Sequence, residues 1–80
     1  MEENKLEFDY SKLLGRIKEK FGTQDNLAAK TTMSVTSLNY KLNNKLEWKQ
    51  KEILEVALLL DIALEEIKDY FFTLKVEKTQ

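Results

Sequence analysis

The sequence has 80 residues, 42% of them hydrophobic, and a formal net charge of −1, which allows one small domain with a single apolar core. It contains no cysteine and no histidine, so a disulfide framework, a thiolate metal site and histidine-based acid–base catalysis are excluded. Its two glycines are too few for a phosphate-binding loop. Its paired glutamates have no nucleophile beside them, so we predict a protein that is not an enzyme and that uses no cofactor, metal or small-molecule substrate.

The amino-terminal end and the longest apolar run bear on the location of the protein. Met1 is followed by Glu2 and Glu3, where a secretory signal would carry basic residues. The longest apolar run, at 56–60, is far shorter than the roughly 18 residues of a membrane span. We therefore expect a cytoplasmic protein without membrane contact.

Hydrophobic spacing predicts an all-α fold, a compact domain of five helices. Residues 1–8 are polar and charged, which predicts a flexible N-terminus. The helical domain is expected at 9–72, and a short extended C-terminal tail at 73–80.

The first helix is expected to have Asp9 as its cap and to run through Lys20, after which Gly22 suits the left-handed residue that terminates a helix. Its inward face is predicted from the helical spacing of four apolar residues. These residues are Leu13, Leu14, Ile17 and Phe21.

Residues 23–43 predict two short helices joined by a tight turn, each opened by a capping hydroxyl. Thr23 precedes a second helix that runs to about Lys30, and Ser34 precedes a third helix at 35–42; each hydroxyl can accept a hydrogen bond from an unpaired amide of the first turn. The inward residues are predicted to be Leu27, Ala28, Met33, Leu38 and Leu42. This layout is the helix-turn-helix, whose second helix enters the DNA major groove.

Beyond the third helix, Asn43-Asn44-Lys45 predicts a turn, because Asn tolerates a positive φ better than most residues. Trp48 is expected to pack over the end of the third helix. A fourth helix is predicted at 49–60 and a fifth at 64–69, after which Tyr70-Phe71-Phe72 closes the core.

The fourth helix has more apolar residues than one buried face needs. Leu54 and Leu58 lie four residues apart beside the predicted core face. Downstream, Phe72, Leu74 and Val76 alternate with polar residues, which suits an extended segment with one apolar face. Either this tail folds back over Leu54 and Leu58, or these residues form a surface for self-association.

The third helix is predicted to present a polar face that can read DNA. Asn39 can form two hydrogen bonds with an adenine, and Val35 and Tyr40 can contact thymine methyl groups. Gln24, at the start of the second helix, is placed to bind a phosphate, and Asn44 could hold the DNA backbone beyond the third helix. The full predicted set of DNA-binding residues is Gln24, Ser34, Val35, Thr36, Ser37, Asn39, Tyr40, Lys41, Asn43, Lys45 and Lys49.

Simpler roles stay open for some of these residues. Ser34 can be a cap alone, Asn39 can be a solvated side chain, and Tyr40 can be half-buried against the fourth helix. Lys45 and Lys49 can belong to a plain solvated face. The sequence alone does not choose between these roles and contact with DNA.

Charge is distributed unevenly along the chain. Residues 30–51 contain five lysines and one glutamate, whereas residues 52–69 contain six acidic residues and one lysine. A positive segment next to a negative one is typical of a domain whose positive surface contacts phosphates and whose opposite surface faces water. Ordinary surface charge is the alternative.

Five segments carry a resemblance to a known family: FDYSKL at 8–13, GTQDNLA at 22–28, SVTSLNYKLNNK at 34–45, WKQKEI at 48–53 and DYFF at 69–72. From Phe8 to about Val76 the chain resembles the lambda repressor/Cro-like helix-turn-helix regulators of temperate phages and prophages of Gram-positive bacteria. The resemblance implies a five-helix fold and sequence-specific operator binding. It also implies that Gln24 contacts a phosphate and that the base-reading positions are Val35, Thr36, Asn39 and Tyr40.

One residue departs from the pattern of that family. Thr32 stands where the family usually has a Gly with positive φ, a conformation that costs a β-branched residue on the order of 1–2 kcal/mol. We therefore expect either a strained turn or a rebuilt turn in which the two helices meet at a different angle. Asp61 likewise stands where relatives often have Gly.

Two functions follow from these observations. The first is a transcriptional regulator of a phage genetic switch, which binds as a homodimer to a double-stranded DNA operator with two half-sites. The second is an antirepressor-type module that binds and modulates a partner phage repressor without strong DNA affinity of its own. Thr32, the near-neutral charge and the apolar surface around Leu54, Leu58 and Phe72 favour the second.

Overall fold

Five α-helices and one 3₁₀ turn make up the fold in the computed structural model, which describes residues 6–75. The helices are α1 (Ser11–Phe21), α2 (Gln24–Ala28), α3 (Val35–Leu42), α4 (Gln50–Leu59) and α5 (Ile67–Phe71), and the 3₁₀ turn (Leu64–Glu66) directly precedes α5. The predicted all-α fold of five helices is confirmed. Within the described range, no helix has the length and apolar character needed to cross a membrane.

The starts of α2 and α3 are fixed by the two hydroxyls that the sequence predicted as caps. Thr23 Oγ1 accepts a hydrogen bond from the backbone N of Asn26 at 3.1 Å, and Ser34 Oγ accepts one from the backbone N of Ser37 at 3.1 Å. Each bond satisfies an amide that has no partner within its helix. The predicted bounds of α3 are confirmed, whereas α2 ends at Ala28, two residues before the predicted end.

The N-cap of α1 is Tyr10, one residue beyond the predicted cap Asp9. The Asp9 carboxylate accepts hydrogen bonds from the backbone N of Ser11, at 2.9 Å, and from its hydroxyl. These bonds hold the pKa of Asp9 below its usual value. Asp9 therefore restrains the turn before the helix, and Gly22 ends α1 with a φ of 81°, as predicted.

The core lies where the five helices meet. Its largest fully buried side chains are Phe71, Leu13, Ile17, Leu27, Leu38, Leu60 and Val56. The inward residues predicted for α2, α3 and their turn are all buried. The prediction that Leu14 faces inward is wrong, because that residue is 37% exposed; it follows Leu13 and so lies about 100° further around the helix.

Aromatic rings close one end of the core. Trp48, predicted to pack over the end of α3, packs edge-to-face on Phe71 with ring centroids 5.2 Å apart and lies 6.3 Å from Tyr10. Burial raises the pKa of Tyr10. Phe8 continues the group, with its ring 6.0 Å from that of Phe72.

The two ends of the described chain pair with each other. Phe8 and Leu74 form an isolated antiparallel bridge, flanked by backbone hydrogen bonds of 2.7 and 3.0 Å. The described part of the predicted tail is therefore extended, but it lies against the segment before α1 and leaves Leu54 and Leu58 exposed. Phe8, which we assigned to the N-terminal segment 1–8, is part of the folded structure; residues 1–5 and 76–80, Val76 among them, lie outside the described residues.

Two non-glycine residues of the described chain have positive φ, Asn44 at 61° and Asp61 at 57°. Both positions were singled out from the sequence, the first as a turn and the second as a site where relatives often have Gly. The Asn44 amide also binds the backbone of Phe8, through Oδ1 to N at 2.9 Å and through Nδ2 to O at 3.0 Å. Asn44 thus joins the end of α3 to the first segment, and its amide is already occupied there.

Replacing Asn44 with Gly is expected to lower the free energy of unfolding by about 1–3 kcal/mol, because two hydrogen bonds are lost while the positive φ stays unstrained. The measurement is urea denaturation. Asn44→Ala should lose more, since an alanine at this φ adds on the order of 1–2 kcal/mol of strain. A Gly variant as stable as the parent chain would show that the bonds to Phe8 contribute nothing.

Candidate functional site

The turn between α2 and α3 is held by threonine hydrogen bonds, with no positive φ at any of its residues. Thr31 Oγ1 donates to the carbonyl of Ala28 at 2.9 Å and accepts from the backbone N of Met33 at 3.0 Å. The backbone N and the hydroxyl of Thr32 donate to the Glu55 carboxylate at 3.2 and 3.4 Å. Of the two outcomes expected for Thr32, the structure has the rebuilt turn, which is anchored to α4.

The amino-terminal ends of α2 and α3 enclose a shallow depression of about 470 Å³. Its lining residues are Gln24, Asp25, Val35, Thr36 and Asn39. Across it, Asn39 Nδ2 donates to Gln24 Oε1 at 3.2 Å, which fixes the two amides relative to each other. Four of the five lining residues are among the predicted DNA-binding residues, so the structure brings the centre of that set together.

The other predicted site residues are distributed around this depression and along α3. Gln24 and Ser37 are half-buried, and eight of the set are exposed: Ser34, Val35, Thr36, Asn39, Tyr40, Asn43, Lys45 and Lys49. The Asn43 side chain donates to the carbonyl of Asn39 at 2.8 Å. Tyr40 is 45% exposed, so its ring is available at the surface.

Lys41 is the exception, and the prediction that it faces DNA is wrong. It is only 6% exposed, and its Nζ lies 3.5 Å from Glu52 Oε1 of α4. Lys41 follows the buried Leu38 by three residues, which places it on the flank of the buried face of α3. The same carboxylate accepts a hydrogen bond from the backbone N of Lys49 at 2.9 Å, so Glu52 both neutralises Lys41 and begins α4.

The face built by α2 and α3 is consequently poor in positive charge. The exposed side chains of α3 are all uncharged, and the charged residue that lines the depression is Asp25. The cations predicted for this region that remain exposed, Lys45 and Lys49, lie beyond the carboxyl end of α3. The face therefore offers hydrogen-bond donors, acceptors and two apolar side chains, a surface that can meet base edges or another protein.

Two apolar surfaces lie outside this face. One is a groove of about 560 Å³, lined by the rings of Phe8, Trp48 and Phe72 together with Lys45 and Glu47. The sequence pattern does not predict this groove, because the groove joins segments far apart in the chain; the aromatic residues near both ends are the signal that points to it. The other surface consists of three exposed leucines of α4 and the 3₁₀ turn: Leu54, Leu58 and Leu64.

Residues 6–75 contain no group of three or more acidic side chains placed to hold a metal ion. One surface ion pair and one hydrogen bond to a backbone carbonyl join helix ends instead. Lys20 Nζ lies 2.7 Å from Asp61 Oδ2, and this hydrogen bond and charge hold the pKa of Asp61 below its usual value. Arg16 donates to the carbonyl of Leu60 at 2.9 Å and so binds α1 to the end of α4.

Comparison with known proteins identifies a family and a similar solved structure. A family described as "Protein of unknown function (DUF739)" matches residues 6–74. Among solved structures, the chain is similar to the solution structure of the modulator of repression (MOR) of the temperate bacteriophage TP901-1 from Lactococcus lactis, with 45% sequence identity and a TM-score of 0.72 over 81% of this chain and 88% of that chain. No curated protein matches the chain. The resemblance to regulators of temperate phages is confirmed at this level, and the assignment to the lambda repressor/Cro-like group stays a prediction.

Proposed function

The chain belongs to the DUF739 family of proteins of unknown function, and from that premise we propose that it is a phage regulator that modulates a repressor by binding to it. Its similarity to a modulator of repression supports the regulatory role. The observation that carries the choice of a protein partner is the burial of Lys41 against Glu52. This ion pair removes the one cation that α3 could have offered to a phosphate.

The electrostatics of the α2–α3 face support this choice. DNA affinity comes largely from lysines and arginines that neutralise phosphates. Asp25 in the depression would instead repel a phosphate, and the overall charge of −1 adds no attraction. A protein partner makes no such demand, because polar and apolar side chains suffice to bind it.

The apolar surfaces also support a protein as the partner. The exposed leucines and the rings of the aromatic groove leave apolar side chains at the surface. Exposed apolar patches on small proteins commonly mark sites of interaction with another protein.

The test is a titration of the purified chain against the repressor encoded by the neighbouring phage gene. Calorimetry measures the binding, and co-purification checks that a complex forms. We expect a complex at micromolar concentration or below, and we expect the isolated chain to retard DNA weakly. Failure of the two proteins to associate when both are at micromolar concentration would contradict the proposal.

A second candidate function is operator binding as a homodimer, which the hydrogen bond between Gln24 and Asn39 favours. This bond holds two amides at the surface, in the positions expected for a phosphate contact and a base contact. The test is a gel shift with DNA from upstream of the gene in a salt series. Asn39→Ala should reduce sequence preference by about 1–3 kcal/mol, whereas Lys45→Ala should weaken binding to all DNA alike. The absence of a sequence-preferring complex at low salt would contradict this candidate.

A further inference from the structure

We propose that Leu54, Leu58 and Leu64, here called the leucine face, form the surface that contacts the repressor, and that the repressor meets it with apolar side chains edged by lysine or arginine. This inference rests on the proposed function, and it assigns the contact to a surface separate from the α2–α3 face. The surface of α4, the charge around it and the path of the C-terminal tail each support it.

Two leucines of the leucine face lie on one side of α4, and the third begins the 3₁₀ turn that follows the helix. Leu54 and Leu58 lie four residues apart on one side of the helix, and they are 43% and 67% exposed. After α4 the backbone N of Ile62 donates to the carbonyl of Ala57 at 2.9 Å, which keeps the 3₁₀ turn at the carboxyl end of the helix. That turn begins with Leu64, which is 70% exposed.

The rest of the described chain does not cover these leucines. A different side of α4 completes the core through the buried Val56 and Ala57, together with the buried Leu60 directly after the helix. The tail, which the sequence allowed to fold over Leu54 and Leu58, pairs with Phe8 instead.

The charge around the leucine face is negative at its 3₁₀ end. Glu65 and Glu66 directly follow Leu64, both are exposed, and neither forms an ion pair within residues 6–75. Lys68, the one lysine at 52–69, lies 3.7 Å from Asp69. Lys51, exposed near the amino-terminal end of α4, is the cation at the opposite end of the face.

This charge pattern identifies the kind of partner. A repressor that binds DNA must display lysine or arginine on its surface, and such a surface complements an apolar patch with acidic neighbours. The aromatic groove gives no such indication, because Lys45 and Glu47 of opposite charge both line it.

The experiment measures the affinity of full-length variants for the neighbouring-gene repressor by calorimetry. Leu58→Gln should weaken binding about tenfold or more, as expected for an anchor residue of an interface. Leu14→Gln is the matched control, because Leu14 is a helix leucine that is 37% exposed and lies on α1, outside both the leucine face and the aromatic groove; it should bind as the parent chain does. The double variant Glu65→Lys/Glu66→Lys should also weaken binding and should reduce its dependence on salt.

The outcomes separate the two proposals. No binding by the parent chain would overturn the proposed function and this inference together. Binding that Leu58→Gln leaves unchanged and Asn39→Ala weakens would overturn the leucine face while the proposed function stands. A dimer of the parent chain that Leu58→Gln dissociates, with repressor affinity unchanged, would assign the face to a second copy of this chain and would also overturn the inference.

Discussion

Replacing Glu52 with Gln is expected to lower the free energy of unfolding by about 3 kcal/mol, because it leaves the Lys41 ammonium buried without a counter-charge. Lys41 and Glu52 have 7% and 16% of their side-chain surface exposed, so water cannot replace the lost partner. The loss is a large part of the roughly 4–12 kcal/mol that a domain of this size has. Urea denaturation followed by circular dichroism measures it.

The matched control is the double variant Lys41→Met/Glu52→Gln. It removes both charges, and Gln can still accept the hydrogen bond from the backbone N of Lys49 that begins α4. Replacing a whole buried ion pair with neutral groups is often close to neutral for stability, so the double variant should regain most of what the single variant lost. A single variant as stable as the parent chain would mean that the ion pair is effectively solvated.

Replacing Phe71 with Ala should remove about 3–5 kcal/mol of stability and unfold a large fraction of the protein at 37 °C. Phe71 is 2% exposed, and its ring is the edge-to-face partner of Trp48. Trp48 is the single tryptophan of the sequence, so its fluorescence reports directly on this contact. Thermal denaturation followed by fluorescence provides the measurement.

The adjacent Phe72 is the control for this variant, because it belongs to the same end of α5 but is 51% exposed. Its ring contacts Phe8 edge-to-face, and such a pair contributes about 0.5–1.5 kcal/mol beyond burial. Phe72→Ala should therefore cost much less than Phe71→Ala. Equal losses for the two variants would show that the Trp48 contact is not the closing element of the core.

The elements that the sequence predicted well are those that local chemistry determines. The bounds of α3 follow from the hydroxyl of Ser34 and the spacing of Leu38 and Leu42, all within one short stretch. The positive φ of Asn44 follows from the conformational freedom of one residue type. Such features need no knowledge of distant parts of the chain.

The features that the sequence could not determine depend on tertiary contacts. The register of the third helix predicts Lys41 on the exposed side, whereas a lysine is buried almost only when it is paired, and its partner Glu52 belongs to a different helix. The conformation of Thr32 depends on Glu55, also on α4. Leu14 follows another leucine, and helical spacing alone allows either of the two to face inward.

The candidate site shows the same division. The depression at the ends of α2 and α3 gathers residues that the helix-turn-helix prediction had already grouped, because the two helices are adjacent in sequence. The aromatic groove and the leucine face could be predicted only in part from the sequence. The groove forms only because Phe8 and Trp48 line the same cavity, and the exposure of the leucine face depends on the path of the C-terminal tail. The sequence allowed the tail to fold over Leu54 and Leu58, and the pairing of Leu74 with Phe8 excludes that arrangement for the described part of the tail.

The antiparallel bridge between Phe8 and Leu74 also determines how this domain can be attached to other molecules. Because Asn44, just beyond α3, binds Phe8, the described chain begins and finishes near the carboxyl end of that helix. The depression lies at the other end of α3, about 12 Å away for a helix of eight residues. A small label attached near either end of residues 6–75 would therefore lie at the opposite end of α3 from the depression.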